Sequence, residues 1–461
     1  MLTETIAAVS TPPGKGGVAL IRISGADSTA VAERVFRAAS GRTVCSYPPR
    51  TQIYGYIVDR DERVDDVLLT HFPAPASYTG EDTVEISCHG GTVVVRTVLE
   101  LIFAAGARAA DAGEFTRRAF INGKLSLTEA EAIGDLLEAK SREQIRLLST
   151  DARDALGARI EEIRVELVGA MSSVYARIDY PDEDLGDLSD GELERSLIEI
   201  REKICKLIST YKTGRAVKEG IKCAICGKPN AGKSTVYNLL VGEDAAIVTD
   251  IKGTTTDVLT REIPLGKIML SLSDTAGIRD ESNAGAIERI GIEKSRKTIA
   301  ECELLFAIFD ASREFDSEDE DLLNSISKSN ATKIAIINKL DSASSNIEEH
   351  LGGFDDIIRI SALTEPVDAR IKIADVCTRL FTDERISIGH DAVISSARQY
   401  AALSRAAEHV ALAIEGLASG FGQDAASSDI ERAIGAVCEL SGRQVSEDVT
   451  ADIFSKFCVG K

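Results

Sequence analysis

The chain has 461 residues, of which 44% are hydrophobic and 28% charged, and its formal net charge at pH 7 is −21. This length favours roughly two to four domains. No apolar run approaches the ~20 residues that span a bilayer, and the start lacks the features of a secretory signal. We therefore expect a cytoplasmic protein without membrane segments. A chain with this negative charge repels the phosphate backbone of nucleic acids on average. To act on a nucleic acid it would need a local basic surface or a basic partner.

The first region of the chain alternates short apolar strands with glycine-rich turns. Strands are predicted at residues 18–23 and 83–87, and turn signals fall at 12–17 and 90–91. We interpret residues 1–122 as a mixed α+β domain.

Helical periodicity marks the second region. From about residue 125 to 213, apolar residues recur three and four positions apart with polar residues between them, and the pattern returns after residue 391. Helix on both sides of another segment predicts one helical domain in two halves, residues 123–216 and 384–461.

The segment between those halves, residues 217–383, has the pattern of an inserted α/β domain. Its apolar strands alternate with helical stretches, as a parallel sheet with crossover helices requires. The predicted strands are residues 221–226, 268–273, 304–309, 333–337 and 357–360.

A phosphate-binding loop follows the first of these strands and precedes a predicted helix. Residues 227–234 fit the pattern G-x-x-x-x-G-K-[ST], whose glycines let backbone N–H groups surround phosphates at a helix N-terminus. We expect Lys233 to reach the β- and γ-phosphates and the Ser234 hydroxyl to bind Mg²⁺.

Further motifs follow in the order expected of a Ras-like GTP-binding domain. Asp274 can orient the metal, Gly277 can donate its N–H to the γ-phosphate, and Asp341 can accept both N–H donors on the Watson–Crick edge of guanine, which adenine does not offer. The residues predicted to contact GTP are Asn230, Ala231, Gly232, Lys233, Ser234, Thr235, Thr249, Asp250, Ile251, Lys252, Gly253, Thr254, Thr255, Asp274, Thr275, Ala276, Gly277, Asn338, Lys339, Leu340, Asp341, Ser361, Ala362 and Leu363.

The catalytic machinery departs from the commonest pattern. Ile278 stands where many GTPases carry the glutamine that positions the attacking water. Asn230 is a candidate ligand for a monovalent cation at the place of an arginine finger. Glu281, Glu288 and Glu293 are candidates for orienting water, although each could also be solvated helix surface.

The pair Cys223-x-x-Cys226 has the spacing of half a metal site. Because it lies in an apolar strand and no second Cys or His pair is close in the sequence, we favour a structural interpretation for both thiols.

With these residues in place, the whole chain resembles the MnmE (TrmE) family of tRNA-modification GTPases. The motifs that carry the resemblance are Thr-Pro-Pro-Gly-Lys-Gly-Gly at 11–17, Arg-Ile-Ser-Gly at 22–25, Tyr-Thr-Gly-Glu-Asp at 78–82, His-Gly-Gly at 89–91, Gly-Glu-Phe-Thr-Arg-Arg-Ala-Phe at 113–120, Glu-Ala-Glu-Ala-Ile at 129–133 and Phe-Cys-Val-Gly-Lys at 457–461.

The resemblance implies a reaction and partners. Members of the family act as homodimers with an FAD-binding partner, in a heterotetramer, on C5 of the wobble uridine (position 34) of certain tRNAs. They install an aminomethyl or carboxymethylaminomethyl group, and the one-carbon unit comes from 5-formyl- or methylene-tetrahydrofolate bound by an N-terminal α+β domain that also dimerises.

The resemblance also implies roles for particular residues. By position, Arg22, Glu85, Lys124 and Lys461 contact folate; Asn230, Thr249, Ile251 and Thr254 hold K⁺; Ser234 and Thr255 ligate Mg²⁺; Glu288 orients water; and Cys458 is the reactive thiol. Arg and Lys suit the glutamate carboxylates of folate, and Glu85 can pair with pterin N–H groups. The segment before Glu288 is longer than the family pattern, which leaves its loop geometry open, and Cys458 could instead be a packed terminal cysteine.

Two other functions remain consistent with the nucleotide motifs alone. One is a GTP-switched RNA or ribosome assembly factor without covalent chemistry. The other is a folate-dependent enzyme that is regulated by GTP and acts on another acceptor.

Overall fold

The computed structural model describes residues 4–60, 62–179, 190–242, 260–273, 301–342, 347–419, 423–442, 453–455, 457 and 460. The chain divides into two compact units, residues 1–138 together with 435–461, and residues 139–434. Within the described helices, none is long and apolar enough to cross a membrane.

A seven-stranded sheet forms the centre of the first unit, in the order β3-β4-β5-β6-β2-β1-β7. Its strands pair antiparallel except for β7, which is parallel to β1. The strands are β1 Ile6–Val9, β2 Val18–Ser24, β3 Phe36–Ala38, β4 Gln52–Asp59, β5 Glu62–Phe72, β6 Thr83–His89 and β7 Arg108–Ala109. The strands predicted at 18–23 and 83–87 are thereby confirmed.

One face of this sheet is buried under two helices, α1 Ser28–Val35 and α2 Thr92–Ala104. The alternation along β4 shows why: Ile53 and Ile57 are buried in this core, whereas Tyr54 on the opposite face is exposed.

The last residues of the chain pack within the same unit. Two helices follow β7 in this part of the chain, α3 Glu114–Ile121 and α4 Leu127–Glu138. Leu127 and Ala130 of α4 form a small core with Phe454 and Phe457. Ser10 donates a hydrogen bond of 3.0 Å to the carbonyl of Gly460. Phe454, Phe457 and Gly460 therefore pack against the N-terminal part of the chain.

The second unit contains a six-stranded sheet in the order β13-β12-β11-β8-β10-β9. Its strands are β8 Ile221–Gly227, β9 Thr260–Leu265, β10 Ile268–Ser273, β11 Leu304–Asp310, β12 Thr332–Asn338 and β13 Asp356–Arg359. All five predicted strands are confirmed and are parallel to one another.

Strand β9 was not among the predicted strands, and it contains Pro264, a residue type that is confined in sheets to edge strands, strand starts and bulges. The structure accommodates Pro264 because β9 is the edge strand, where one side of the backbone has no neighbour, and it pairs antiparallel with β10.

Helices cover both faces of this sheet and form the rest of the second unit. They are α5 Arg142–Leu147, α6 Thr150–Asp179, α7 Asp190–Ser209, α8 Tyr211–Lys218, α9 Lys233–Val241, α10 Ser317–Ile326, α11 Pro366–Phe381, α12 Ala397–Ala418 and α13 Gln423–Ser441, of which the last extends into the first unit's part of the chain. Helix α7 packs against α6 and α12. The helical periodicity at 125–213 and after 391 is confirmed.

The second unit depends on a close approach between α8 and residue 394. A Cβ added at Gly214 would lie 2.1 Å from the carbonyl oxygen of Ile394, and this backbone atom cannot turn aside as a side chain does. We expect Gly214→Ala to lower the free energy of unfolding by about 1–3 kcal/mol and to lower the midpoint of thermal unfolding.

Gly157→Ala is the matched control, because it also lies within a helix but has nothing within 4 Å of the added Cβ. It should stabilise by roughly 0.5–1 kcal/mol through helix propensity. Equal midpoints for the two variants would contradict the close approach.

Candidate guanine-nucleotide site

The phosphate-binding loop connects the carboxyl end of β8 to the start of α9. Two of its glycines have backbone angles that other residues rarely adopt, with φ of +150° at Gly227 and +101° at Gly232. An added Cβ would lie 2.6 Å from the Ile308 carbonyl oxygen at the first position and 2.2 Å from Asn338 Nδ2 at the second. Glycine is therefore required at both places by conformation and by space.

Contacts within the loop hold it as a compact turn. Lys233 Nζ donates a 2.7 Å hydrogen bond to the carbonyl of Lys228, which also accepts from the N–H of Ala231 at 3.3 Å. Asn230 adopts a left-handed conformation with φ of +62°. The loop thus presents the start of α9, where unpaired N–H groups and the helix dipole favour an anion.

Asn338 at the end of β12 joins the loop to the segment that follows β13. Its side chain is buried, its Nδ2 donates to the carbonyl of Ala231 at 3.3 Å, and its Oδ1 accepts from the N–H of Ala362 at 3.0 Å. One amide therefore fixes the predicted phosphate-contacting and base-contacting segments relative to each other.

Lys339 makes a second connection to the loop. Its Nζ donates to the carbonyl of Asn230 at 2.8 Å and to Asp310 Oδ2 at 2.7 Å. Burial raises the pKa of Asp310, but hydrogen bonds from Lys339 and Ser312 outweigh it, so that the pKa lies below its usual value. Asp310 therefore stays charged and anchors Lys339.

Asp341 lies exposed at the end of the site where the sequence predicts the guanine contacts. Its carboxylate accepts hydrogen bonds from the hydroxyls of Ser361 and, at 3.2 Å, Ser342, and Thr364 donates to Ser361 at 2.7 Å. The hydrogen bond from Ser361 is the main cause of a lowered pKa at Asp341. The carboxylate is ionised and oriented, as an acceptor for two N–H groups must be.

The structure thus brings together the predicted segments 230–235, 338–341 and 361–363 at the carboxyl edge of one sheet. Several other predicted site residues lie outside the described residues: Thr249, Asp250, Ile251, Lys252, Gly253, Thr254, Thr255, Asp274, Thr275, Ala276, Gly277, Glu288, Cys458 and Lys461, as do Ile278, Glu281 and Glu293.

Asp310 is a site residue that sequence reasoning missed. The sequence contained a signal for it, because Asp310 directly follows the apolar strand segment 304–309. In the sheet it lies beside Asn338, its register partner at the end of β12.

The interpretation of Cys223 and Cys226 as structural is confirmed. They belong to the cores on opposite faces of the sheet, because an i, i+3 pair on a strand points in opposite directions. Burial raises the pKa of Cys223 well above its usual value and that of Cys226 to about 12. In the part of the chain that the structure describes, no cluster of three His, Cys, Asp or Glu side chains could hold a metal ion.

The candidate folate residues lie in the first unit. Arg22 on β2 and Glu85 on β6 face each other in register and form an ion pair of 2.8 Å. The guanidinium lies 5.1 Å from the ring centre of Tyr78, and Lys124 donates to the carbonyl of Pro75 at 3.2 Å. Arg22 and Glu85 therefore lie side by side in the sheet.

The parallel sheet, its phosphate-binding loop and the Asn-Lys-x-Asp and Ser-Ala segments at neighbouring strand ends define a P-loop guanine-nucleotide-binding protein. Comparison with known proteins narrows this class. The family described as GTP-binding protein TrmE N-terminus matches residues 5–124, and that described as MnmE helical domain matches residues 127–458.

Relatives match over their full length. The tRNA modification GTPase MnmE of Thermotoga petrophila is 40% identical, with 99% of this chain and 100% of the relative covered. The proteins of the same name from Clostridioides difficile and Natranaerobius thermophilus are each 37% identical, with 100% of both chains covered. The chain belongs to the MnmE family of tRNA modification GTPases, and it is a GTPase.

The geometry at Asp341 predicts the nucleotide preference of this GTPase. In Asp341→Asn an amide replaces the carboxylate, so that one acceptor oxygen is lost and an NH2 group faces one of the two guanine donors. We expect roughly tenfold to hundredfold weaker GTP binding, the order for one lost hydrogen bond to a charged group. Xanthine carries an oxygen in place of the guanine amino group, so the introduced amide should bind XTP better than the unaltered protein does. Equilibrium titration with both nucleotides measures this exchange.

Glu349→Gln is a matched control, because Glu349 is an exposed carboxylate with no hydrogen bond or ion pair to any described residue. Its affinities should stay unchanged. Undiminished GTP binding in Asp341→Asn would refute the assignment.

Proposed function

We propose that this GTPase drives modification of C5 of the wobble uridine (position 34) in certain tRNAs to the aminomethyl or carboxymethylaminomethyl form, with an FAD-binding partner and a folate one-carbon unit. The observation that carries the proposal is the extent of the similarity. It covers both units at 37–40% identity, rather than the nucleotide-binding sheet alone, and the relatives are named for tRNA modification.

The nucleotide would lie across the carboxyl edge of the six-stranded sheet. In this proposal the loop at 230–235 surrounds the phosphates, and Asp341 with the N–H of Ala362 contacts guanine. Asn338 keeps these two ends at a fixed separation through its bonds to Ala231 and Ala362. The predicted contacts at 249–255 and 274–277 would complete the site.

Mg²⁺ fits the first turn of α9. Ser234 follows Lys233 there and offers a hydroxyl oxygen, the ligand type that Mg²⁺ prefers. With Thr255 and the predicted metal-orienting Asp274, it would hold the ion, which neutralises charge on the phosphates when bound.

K⁺ fits Asn230. This residue is exposed, and its side-chain amide forms no hydrogen bond with any residue that the structure describes. Its oxygen is therefore open to a cation, together with the predicted ligands Thr249, Ile251 and Thr254. The bound cation would supply positive charge, and Glu288 is proposed to orient the water in the absence of a glutamine at 278.

If K⁺ binds at Asn230, the rate of GTP hydrolysis should depend on which monovalent cation is present. We expect GTP hydrolysis to be faster in KCl than in NaCl at equal ionic strength, and Asn230→Ala to remove that difference. Asn238→Ala on the exposed face of α9 is the matched control and should keep it. Equal rates of the unaltered protein in both salts would argue against the cation.

The N-terminal unit is proposed to bind the folate. Because Arg22 and Glu85 form one ion pair beside Tyr78, we assign both to the pterin end, where a carboxylate and a guanidinium can pair with ring N–H groups and acceptors. Lys124 and Lys461 would then meet the glutamate carboxylates. The division into domains 1–122, 123–216, 217–383 and 384–461 stays part of this proposal.

The net charge of −21 bears on the partners. We propose a homodimer in the cytoplasm that joins the FAD-binding protein in a heterotetramer, in which the partner supplies much of the basic surface for tRNA.

The decisive experiment is mass spectrometry of tRNA nucleosides. Cells that lack the chain should lose the modified wobble uridine, and a Cys458→Ser variant should keep GTP hydrolysis but fail to restore the product. Cys45→Ser, which changes an exposed thiol outside the proposed sites, should restore it. Unchanged nucleosides in the cells without the chain would overturn the proposed function, whereas restoration by Cys458→Ser would overturn only the role of that thiol.

A further inference from the structure

Lys228 is a cation in the phosphate-binding loop whose ammonium group is directed away from the predicted phosphate position. Its Nζ lies 2.6 Å from Asp319 Oδ2 and also bonds Asp316 Oδ1, both at the N-terminus of α10. The Lys228 side chain is 14% exposed and that of Asp319 is 8% exposed. The charge of Lys228 is therefore balanced by the largely buried carboxylate of Asp319 and by the carboxylate of Asp316, which is 53% exposed.

The two carboxylates belong to a fixed element. Asp316 is the N-cap of α10 and accepts from the N–H groups of Glu318 at 2.8 Å and Asp319 at 3.3 Å, while Asp319 accepts from the N–H of Asp316 at 3.2 Å. Such a reciprocal capping box restricts both side chains. Lys228 is thus tied to a position that the helix itself defines.

The backbone of Lys228 contacts the residue predicted to reach the phosphates. Its carbonyl accepts the 2.7 Å hydrogen bond from Lys233 Nζ and the 3.3 Å bond from the N–H of Ala231. The side chain of Lys228 therefore fixes the peptide against which Lys233 and the following turn are placed.

We propose that Lys228 is a positioning residue for GTP hydrolysis: its ion pairs with Asp316 and Asp319 hold the beginning of the phosphate-binding loop in the shape that binds nucleotide, and its own charge makes no phosphate contact. If the ammonium left for a phosphate, the largely buried Asp319 would lose its cationic partner, which is costly.

The test compares GTP with GDP. Lys228→Met and Asp319→Asn should each weaken binding of both nucleotides by the same factor, roughly tenfold, the order for one lost hydrogen bond between charged groups. In steady-state hydrolysis the larger part of the loss should appear in KM rather than kcat. The double variant should be no weaker than Lys228→Met alone, because that change already removes the ion pair with Asp319.

Two further variants separate positioning from folding. Lys228→Arg should restore most of the affinity, since its guanidinium can bind both carboxylates, and Glu320→Gln, an exposed carboxylate of the same helical turn, should behave as the unaltered protein. A loss for GTP that exceeds the loss for GDP would show that Lys228 contacts the γ-phosphate and would overturn the proposal. Unchanged affinity in Lys228→Met, or additive losses in the double variant, would also overturn it.

Discussion

The bridge made by the Asn338 amide is the interaction on which the nucleotide site depends. Its donor and acceptor sides are both used, by Ala231 and Ala362, so that the side chain has one orientation only. A buried amide that lost either partner would leave an unsatisfied polar group at a cost of about 1–3 kcal/mol. The same bridge requires Gly232, since any Cβ there would collide with the amide.

The parallel sheet explains why these residues meet. Strands β8, β11 and β12 are neighbours with their carboxyl ends at one edge, and Asp310 is the register partner of Asn338. Residues directly after these strands therefore lie side by side although long stretches of chain separate them. A charged side chain adds to this arrangement, because the ammonium group of Lys339 bonds both the carboxylate of Asp310 and the carbonyl of Asn230.

The sequence predicted the parts of this arrangement that local patterns encode. Five buried strands and the contiguous motifs were found because apolar runs and glycine positions are visible within a few residues. The partners of Lys228 were not found, because Asp316 and Asp319 lie 88 and 91 positions away in the chain and nothing near Lys228 indicates them. Strand β9 was not predicted either; it contains Pro264, and the pairing with β10 that makes it an edge strand is visible only in the fold.

In the N-terminal unit, the fold shows why two of the sequence motifs, at 78–82 and 113–120, carry charged residues: their side chains form one network of ion pairs. Arg118 is 1% exposed and bonds both Glu114, four residues away on α3, and Glu81. Burial raises the pKa of Glu114, but hydrogen bonds from Arg108, the N–H of Asp111 and Arg118 outweigh it and lower the pKa to about 2. A depressed pKa contributes stability that is present above the usual value of a glutamate and is lost as the pH falls from there through about 2. Glu114 thus stays charged at mildly acidic pH and keeps its ion pairs with Arg108 and Arg118, and Arg118 in turn bonds Glu81.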